Sequence, residues 1–211
     1  MSRLVLASNN KDKIAEIGAI LAGVELVPCA EIMGEVDLPE TGATFAENAA
    51  EKAKFVAEKT GSPALADDSG LVVPALGGFP GVYSRRFADE CGGYPAAFKE
   101  LDRRLLNRDK SAYFSCVLAL ALPGGATEVF EGRVNGFLVA DSPRGALGFG
   151  YDPIFVPNGL GMTFAELDAS AKNMISHRAA ALALLKKYLA ARPLPEEGLA
   201  EAFAGVKKPR R

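Results

Sequence analysis

"SAYFSCVLALALPGGATEVFEGRVNGFLV", residues 111–139, holds two long runs rich in β-branched and aromatic residues on either side of Pro123-Gly124-Gly125. Such a pattern reads as two strands joined by a tight turn, a β-hairpin. Hairpin strands are antiparallel, whereas the rest of the chain alternates strand-like with helix-like segments. The combination predicts an α/β fold with a mixed central β-sheet flanked by helices rather than a purely parallel one.

Upstream of the hairpin, "RLVLAS" (3–8) reads as a short buried strand. Residues 11–23 follow as a helix, with Ile14, Ile17, Ile20 and Leu21 at helical spacing before Gly23. A second strand is expected over 24–29 and a loop over 30–43. Thr44 with Glu47 three residues on has capping-box spacing and opens a helix over 44–61, its apolar face carrying Phe45, Ala49, Ala53 and Val56. Residues 63–73 read as a strand, a sharp turn at Ser69-Gly70 and a further extended piece, followed by a glycine-rich loop. A helix over 95–107 shows Phe98, Leu101 and Leu105 on one face. Downstream, 143–161 is a glycine- and proline-rich segment that still carries Phe149, Tyr151, Ile154 and Phe155, the composition of an ordered functional loop. Residues 176–192 close the core as an alanine- and leucine-rich helix. Residues 193–211 read as a weak helix and a basic tail, an extension of unknown role after a single domain over 1–192.

At 211 residues, with 49% hydrophobic and 24% charged residues, the composition is that of a globular protein. No apolar run approaches the roughly 20 residues that cross a bilayer, and the N-terminus lacks an export signal, so the expectation is a cytoplasmic protein with no membrane partner. A net charge of −2 gives no global footprint for nucleic acid and leaves a small-molecule partner. Cys29, Cys91 and Cys116 are odd in number and lack zinc spacing, which fits reduced thiols.

Four clusters can carry chemistry. "SNNKDK" (8–13), between the first strand and helix, offers backbone N–H groups and the donors Ser8, Asn10 and Lys13 to a phosphate, or else is an ordinary helix cap with a solvated lysine. Glu40, Asp67 and Asp68 form an acidic set. A carboxylate at the end of an apolar strand is costly without a partner, so either Mg²⁺ or base chemistry is expected there, or a turn made by the aspartates. "GFGYDPIF" (148–155) can stack an aromatic on a planar ring, with Asp152 accepting from ring donors, or else packs Phe149 and Phe155 as core. "KNMISHR" (172–178) groups Lys172, the single histidine His177, and Arg178 at a helix start, either around an anion or carbonyl or as a solvated first turn. There is no GxxxxGK[ST] loop, no dinucleotide fingerprint and no GxSxG elbow. Anion donors, a magnesium-type carboxylate set and a ring-stacking loop together describe a nucleotide phosphate hydrolase.

These segments resemble the inosine/xanthosine triphosphate pyrophosphatase family. The likeness runs in order through "ASNNKDK", "ETGATFAENAAEKA", "LADDSGLVV", "GGFPGVYSRRFA", "GFGYDPIF", "TFAEL" and "KNMISHRAAAL", over about residues 3–190. The resemblance implies two lobes with the active-site cleft between them, a homodimer, and Mg²⁺-assisted hydrolysis of non-standard purine nucleoside triphosphates (ITP, dITP, XTP) to the monophosphate and pyrophosphate. It implies phosphate contacts at Ser8, Asn9, Asn10, Lys11, Asp12, Lys13 and Lys52, metal ligands at Glu40 and Asp68, and Asp68 as proton acceptor. It further implies substrate contacts at Ser69, a base-binding loop of Phe149, Gly150, Tyr151 and Asp152, and more contacts at Lys172, His177 and Arg178. Ser8-Asn9-Asn10 departs from the Thr-Gly-Asn of many relatives, losing glycine's close approach to a phosphate. A related-fold pyrophosphatase for modified pyrimidine triphosphates and a non-catalytic nucleotide-binding protein are the competing readings.

Overall fold

A computed structural model describes residues 3–192 and Leu194; the tail expected over 193–211 otherwise lies outside the described residues. Strand β1 (Arg3–Ala7), helix α1 (Lys11–Ile20) and strand β2 (Glu25–Pro28) form the expected opening. Residues 30–43 are not loop throughout, because Ala30–Met33 make one helical turn, α2. Helix α3 (Phe45–Thr60) starts as its spacing predicts: Thr44 accepts from the Glu47 N–H while the Glu47 carboxylate accepts from the Thr44 N–H. It stops at Gly61, whose left-handed conformation ends helices at little cost.

Strand β3 (Ala64–Val72) runs straight through Ser69 and Gly70, so the sharp turn expected there is absent. A Ser-Gly pair turns the chain only where nothing holds it extended. Here the Leu71 N–H donates to Ser84 Oγ at 2.9 Å, and Leu65, Ala66, Leu71 and Val73 are wholly buried. Tertiary packing overrides the local signal. Helix α4 (Ser84–Glu90), which the sequence reading left unassigned, precedes α5 (Tyr94–Arg104), where Phe98, Leu101 and the following Leu105 are buried as expected.

The hairpin forms from β4 (Ser111–Ala121) and β5 (Thr127–Leu138). The segment 143–161 conceals a short strand, β6 (Phe155–Pro157), antiparallel to β5 with Gly136 opposite Pro157 and Leu138 opposite Phe155. Proline is tolerated because β6 is an edge strand. The chain closes with α6 (Ala169–Ile175), also unassigned from sequence, and α7 (His177–Ala191). The six strands order β2-β1-β3-β4-β5-β6, with β1 parallel to both β2 and β3, which is the expected mixed sheet.

The chain divides into two compact units. The first runs to Asp68, takes in Val117–Phe130 and resumes at Leu182, and the second comprises Ser69–Cys116 and Glu131–Ala181. The core of the first is built from small side chains, with Ala49, Ala53 and Val56 of α3 against Val5, Ala7, Ala64 and Ala66. The second has an aromatic core that includes Phe87, Phe98, Phe114, Phe155 and Phe164. No described helix is long and apolar enough to cross a membrane.

Within the second unit, β5 and the start of α7 approach to backbone contact at Gly132. A methyl group there would lie 2.2 Å from the His177 carbonyl oxygen and 2.3 Å from the Ala181 nitrogen. Backbone cannot yield as a flexible side chain can. Gly132→Ala is expected to lower stability by about 1–3 kcal/mol or more, read as a lower midpoint of urea unfolding. An unchanged midpoint would show that this contact is looser than described.

Candidate active site

Polar side chains are buried in two sets, one in each unit. In the first unit, Asn48 and Lys52 stand one helical turn apart on α3, beside the alanine face that packs on the sheet, so folding carries both under the surface. The Lys52 ammonium meets three oxygens: Glu40 Oε1 at 2.6 Å, Asp68 Oδ1 at 3.0 Å and the Asp67 carbonyl at 3.0 Å. Successive strand residues point in opposite directions, and the Asp67 carboxylate accordingly finds a different cation, Lys13 of α1, at 2.5 Å. Asp67 is fully enclosed and Asp68 nearly so, whereas Glu40 keeps 45% of its side chain exposed.

These pairs answer the question raised by two acids in an apolar strand. Lys13 pairs with Asp67 and Lys52 with Asp68, so each buried acid has a cation of the chain beside it. Burial pushes the Asp68 carboxyl above the usual carboxylate range, against the pull of Lys52 and Lys13. Burial acts on Lys52 in the opposite sense, yet Asp68 and Glu40 together hold its ammonium above the ordinary lysine value. An acid kept reluctant to ionise beside a fixed cation suits proton acceptance.

The loop bearing Glu40 is laced to α3. Thr41 donates through both N–H and Oγ to Glu51, at 2.8 Å each, and the Gly42 N–H donates to Asn48 Oδ1 at 2.8 Å. At the start of α1, Asn10 takes the capping role, its Oδ1 accepting from the Asp12 and Lys13 N–H groups, while Ser8 Oγ accepts from Asn10 N–H. The Asn9 amide donates to the Val36 carbonyl at 2.9 Å, and Lys11 and Asp12 are exposed. Among the described residues no group of three or more His, Cys, Asp or Glu side chains could enclose a metal. The donors that do converge, two carboxylates and a carbonyl already holding one positive charge, are hard oxygens of the kind Mg²⁺ accepts with water and phosphate completing its shell.

In the second unit, Phe149 is half-buried with the Lys172 ammonium 4.6 Å and the Arg178 guanidinium carbon 5.8 Å from its ring centroid. Asp152 Oδ2 accepts from both Lys172 Nζ at 2.5 Å and the Phe149 N–H at 2.8 Å, closing the loop on itself. Gly148 makes this possible: its φ is +70°, and a methyl group there would lie 2.2 Å from that same oxygen. Arg178, fully buried, donates to Ser69 Oγ at 3.1 Å, and the His177 ring stacks on Phe114 at 4.8 Å. Lys172 does not share a helix with the other two: it lies on α6, the chain is extended at Ser176, and His177 and Arg178 open α7. Tyr151 belongs to the core, 3% exposed, donating through its hydroxyl to the Ser84 carbonyl at 2.8 Å; burial pushes its phenol upward. Hydrogen bonds thus join Ser69 to Arg178, and Asp152 to both Phe149 and Lys172, with the Phe149 ring near both cations, and Gly150 lies beside Tyr94. Asn48, Glu51 and Ser84 escaped the sequence reading; for Asn48 the available signal was a polar residue four before Lys52 on an alanine face.

The model of the Ham1 family matches residues 4–188 of the chain. A protein of Geobacter sulfurreducens described as a dITP/XTP pyrophosphatase is 47% identical over 194 residues, covering 90% of this chain and 97% of that one. A Caulobacter vibrioides protein of the same description is 46% identical over 191 residues, with 89% and 98% covered. Among solved structures, a HAM1 protein from Coxiella burnetii superposes with a TM-score of 0.82 at 41% identity, covering 90% of this chain and all of that one.

The Lys13–Asp67 pair generates a stability prediction. Lys13→Met removes the cation from an enclosed carboxylate and is expected to cost about 3–5 kcal/mol. Adding Asp67→Asn should restore much of the loss in urea unfolding. A double variant as unstable as the single one would show that the lysine stem, not its charge, matters at this position.

Proposed function

The chain belongs to the Ham1 family, and on that footing we propose that it hydrolyses ITP, dITP and XTP to the nucleoside monophosphate and pyrophosphate, clearing non-standard purines from the nucleotide pool. The observation that carries the reading is the convergence of Glu40 and Asp68 on the Lys52 ammonium, an arrangement of fixed charges suited to a polyphosphate and a divalent cation. Mg²⁺, held by Glu40 and Asp68, would supply charge neutralisation at the phosphate oxygens. The remaining roles fall to the chain's own residues.

Asp68 orients a water for in-line attack on the α-phosphorus and takes its proton. The bond from the α-phosphorus to the bridging oxygen breaks as the water oxygen adds, and pyrophosphate departs with that oxygen. Lys52 and Lys13 stabilise the charge that develops on the leaving group. Ser8 to Asp12 serve the phosphates alongside them. In the second unit, Phe149 stacks on the purine, Asp152 and Lys172 hold the loop of Phe149, Gly150 and Tyr151 in shape, and Ser69, His177 and Arg178 contact the substrate. Donors at Arg178 and His177 match a 6-oxo group, whereas the 6-amino group of adenine leaves them unpaired at about 1–3 kcal/mol each. A homodimer in the cytoplasm completes the reading.

Pyrophosphate release is measured with ITP, dITP, XTP, GTP and ATP, with and without Mg²⁺, for the wild type and Asp68→Asn. The expected outcome is metal-dependent release from ITP, dITP and XTP, at least tenfold weaker with ATP, and lost in the variant. Equal rates with ITP and ATP would refute the donor account of base choice. No release from any purine, with tight ITP binding, would make the protein a binder. Sedimentation velocity is expected to give twice the 22.2 kDa chain mass; a monomer would remove the dimer.

A further inference from the structure

Asn48 is 1% exposed and makes one bond with each end of its amide. Its Oδ1 accepts from the Gly42 N–H at 2.8 Å, and its Nδ2 donates to Asp68 Oδ2 at 3.2 Å. The two partners leave no choice of amide orientation, since one is a donor and the other an acceptor. Lys52 occupies the other carboxylate oxygen, Oδ1, so the two α3 side chains together fix both oxygens of Asp68. Gly42 follows Glu40 by two residues, and its close approach is enforced: a methyl group there would fall 2.9 Å from Asn48 Oδ1 and 2.5 Å from Glu47 Cβ. One buried amide therefore ties the strand carrying Asp68 to the loop carrying Glu40.

We propose that Asn48 is a positioning residue, which sets the rotation of the Asp68 carboxylate and the distance of the Glu40 loop from it. The inference rests on the reading of Glu40 and Asp68 as metal ligands and of Asp68 as proton acceptor. Asn48 acts through the Asp68 carboxylate, to whose Oδ2 its amide donates. Groups that orient a metal ligand are commonly worth 10–100-fold in metal affinity or activity.

The test is a double-mutant cycle on the full chain, with Asn48→Ala, Asp68→Asn and both together, read in two ways. Mn²⁺ is titrated into the protein without nucleotide and followed by electron paramagnetic resonance, and kcat and KM are measured with ITP and Mg²⁺. Asn48→Ala is expected to weaken Mn²⁺ binding and lower kcat by 10–100-fold, with KM for ITP within about threefold. In the Asp68→Asn background it should change Mn²⁺ affinity little, because Asn48 acts through that carboxylate. Asn48→Asp keeps an acceptor for Gly42 but turns a carboxylate oxygen toward Asp68. It should lower kcat as far as the alanine variant does, with the far-ultraviolet spectrum unchanged. Should Asn48→Asp fail to fold, the alanine cycle decides, as alanine is favourable within a helix. Additive effects, unaltered Mn²⁺ affinity in Asn48→Ala, or a folded Asn48→Asp with wild-type kcat would each overturn the proposal. A wild type that releases no pyrophosphate would instead fail the functional reading, and the Mn²⁺ cycle would still decide the role of Asn48.

Discussion

The Lys52 ammonium is the charge on which the candidate site is built. Taking an isolated ammonium out of water costs several kcal/mol, and so does burying the Asp68 carboxylate that accompanies it. The cost is offset only because Glu40, Asp68 and the Asp67 carbonyl meet one nitrogen within 3.0 Å. Each partner is supplied by a different device: a loop laced to α3 for Glu40, a strand for Asp68, a backbone carbonyl for Asp67. Removing the Asp68 carboxylate would leave the Lys52 ammonium buried with only a half-exposed acid and a neutral carbonyl.

Periodicity made much of the fold readable. Apolar spacing disclosed α1 and α3, the capping pair Thr44 and Glu47 marked where α3 begins, and the long β-branched runs disclosed the hairpin. The elements that escaped are those whose cause lies elsewhere in the chain. Ser69 and Gly70 look like a turn until Ser84 takes the Leu71 N–H. Strand β6 is three residues long, hidden among glycines and prolines, and exists because β5 offers an edge. Helix α6 escaped because the sequence groups Lys172 with His177 and Arg178 at a single helix start, which the extended Ser176 divides.

The site divides along the same line. Which residue types could carry chemistry was legible, since acids and lysines in apolar surroundings are conspicuous. Their partners were not. Nothing in the spacing of Lys13 and Asp67 says that they pair, nor that Tyr151 turns into the core while Phe149 two residues away stays half-buried between two cations. Those choices are made by packing, and a polar side chain reports its partner only after the sheet has formed.

The uninterrupted course of β3 has a consequence for how this protein can fail. Its pairing with β1 sets Val5 against Ala64, Leu6 against Leu65 and Ala7 against Ala66, and Asp67 and Asp68 follow in the same strand. The alternation of a strand has a period of two, so a slip of one residue that sends Asp67 to the place of Asp68 would give Lys52 the wrong acid and leave Lys13 facing Ala66. The flanking positions are mostly alanine, leucine and valine, which tolerate either face. The charges do not: a shifted pairing would lack the Lys13–Asp67 and Lys52–Asp68 ion pairs, and the buried acids therefore weigh against it.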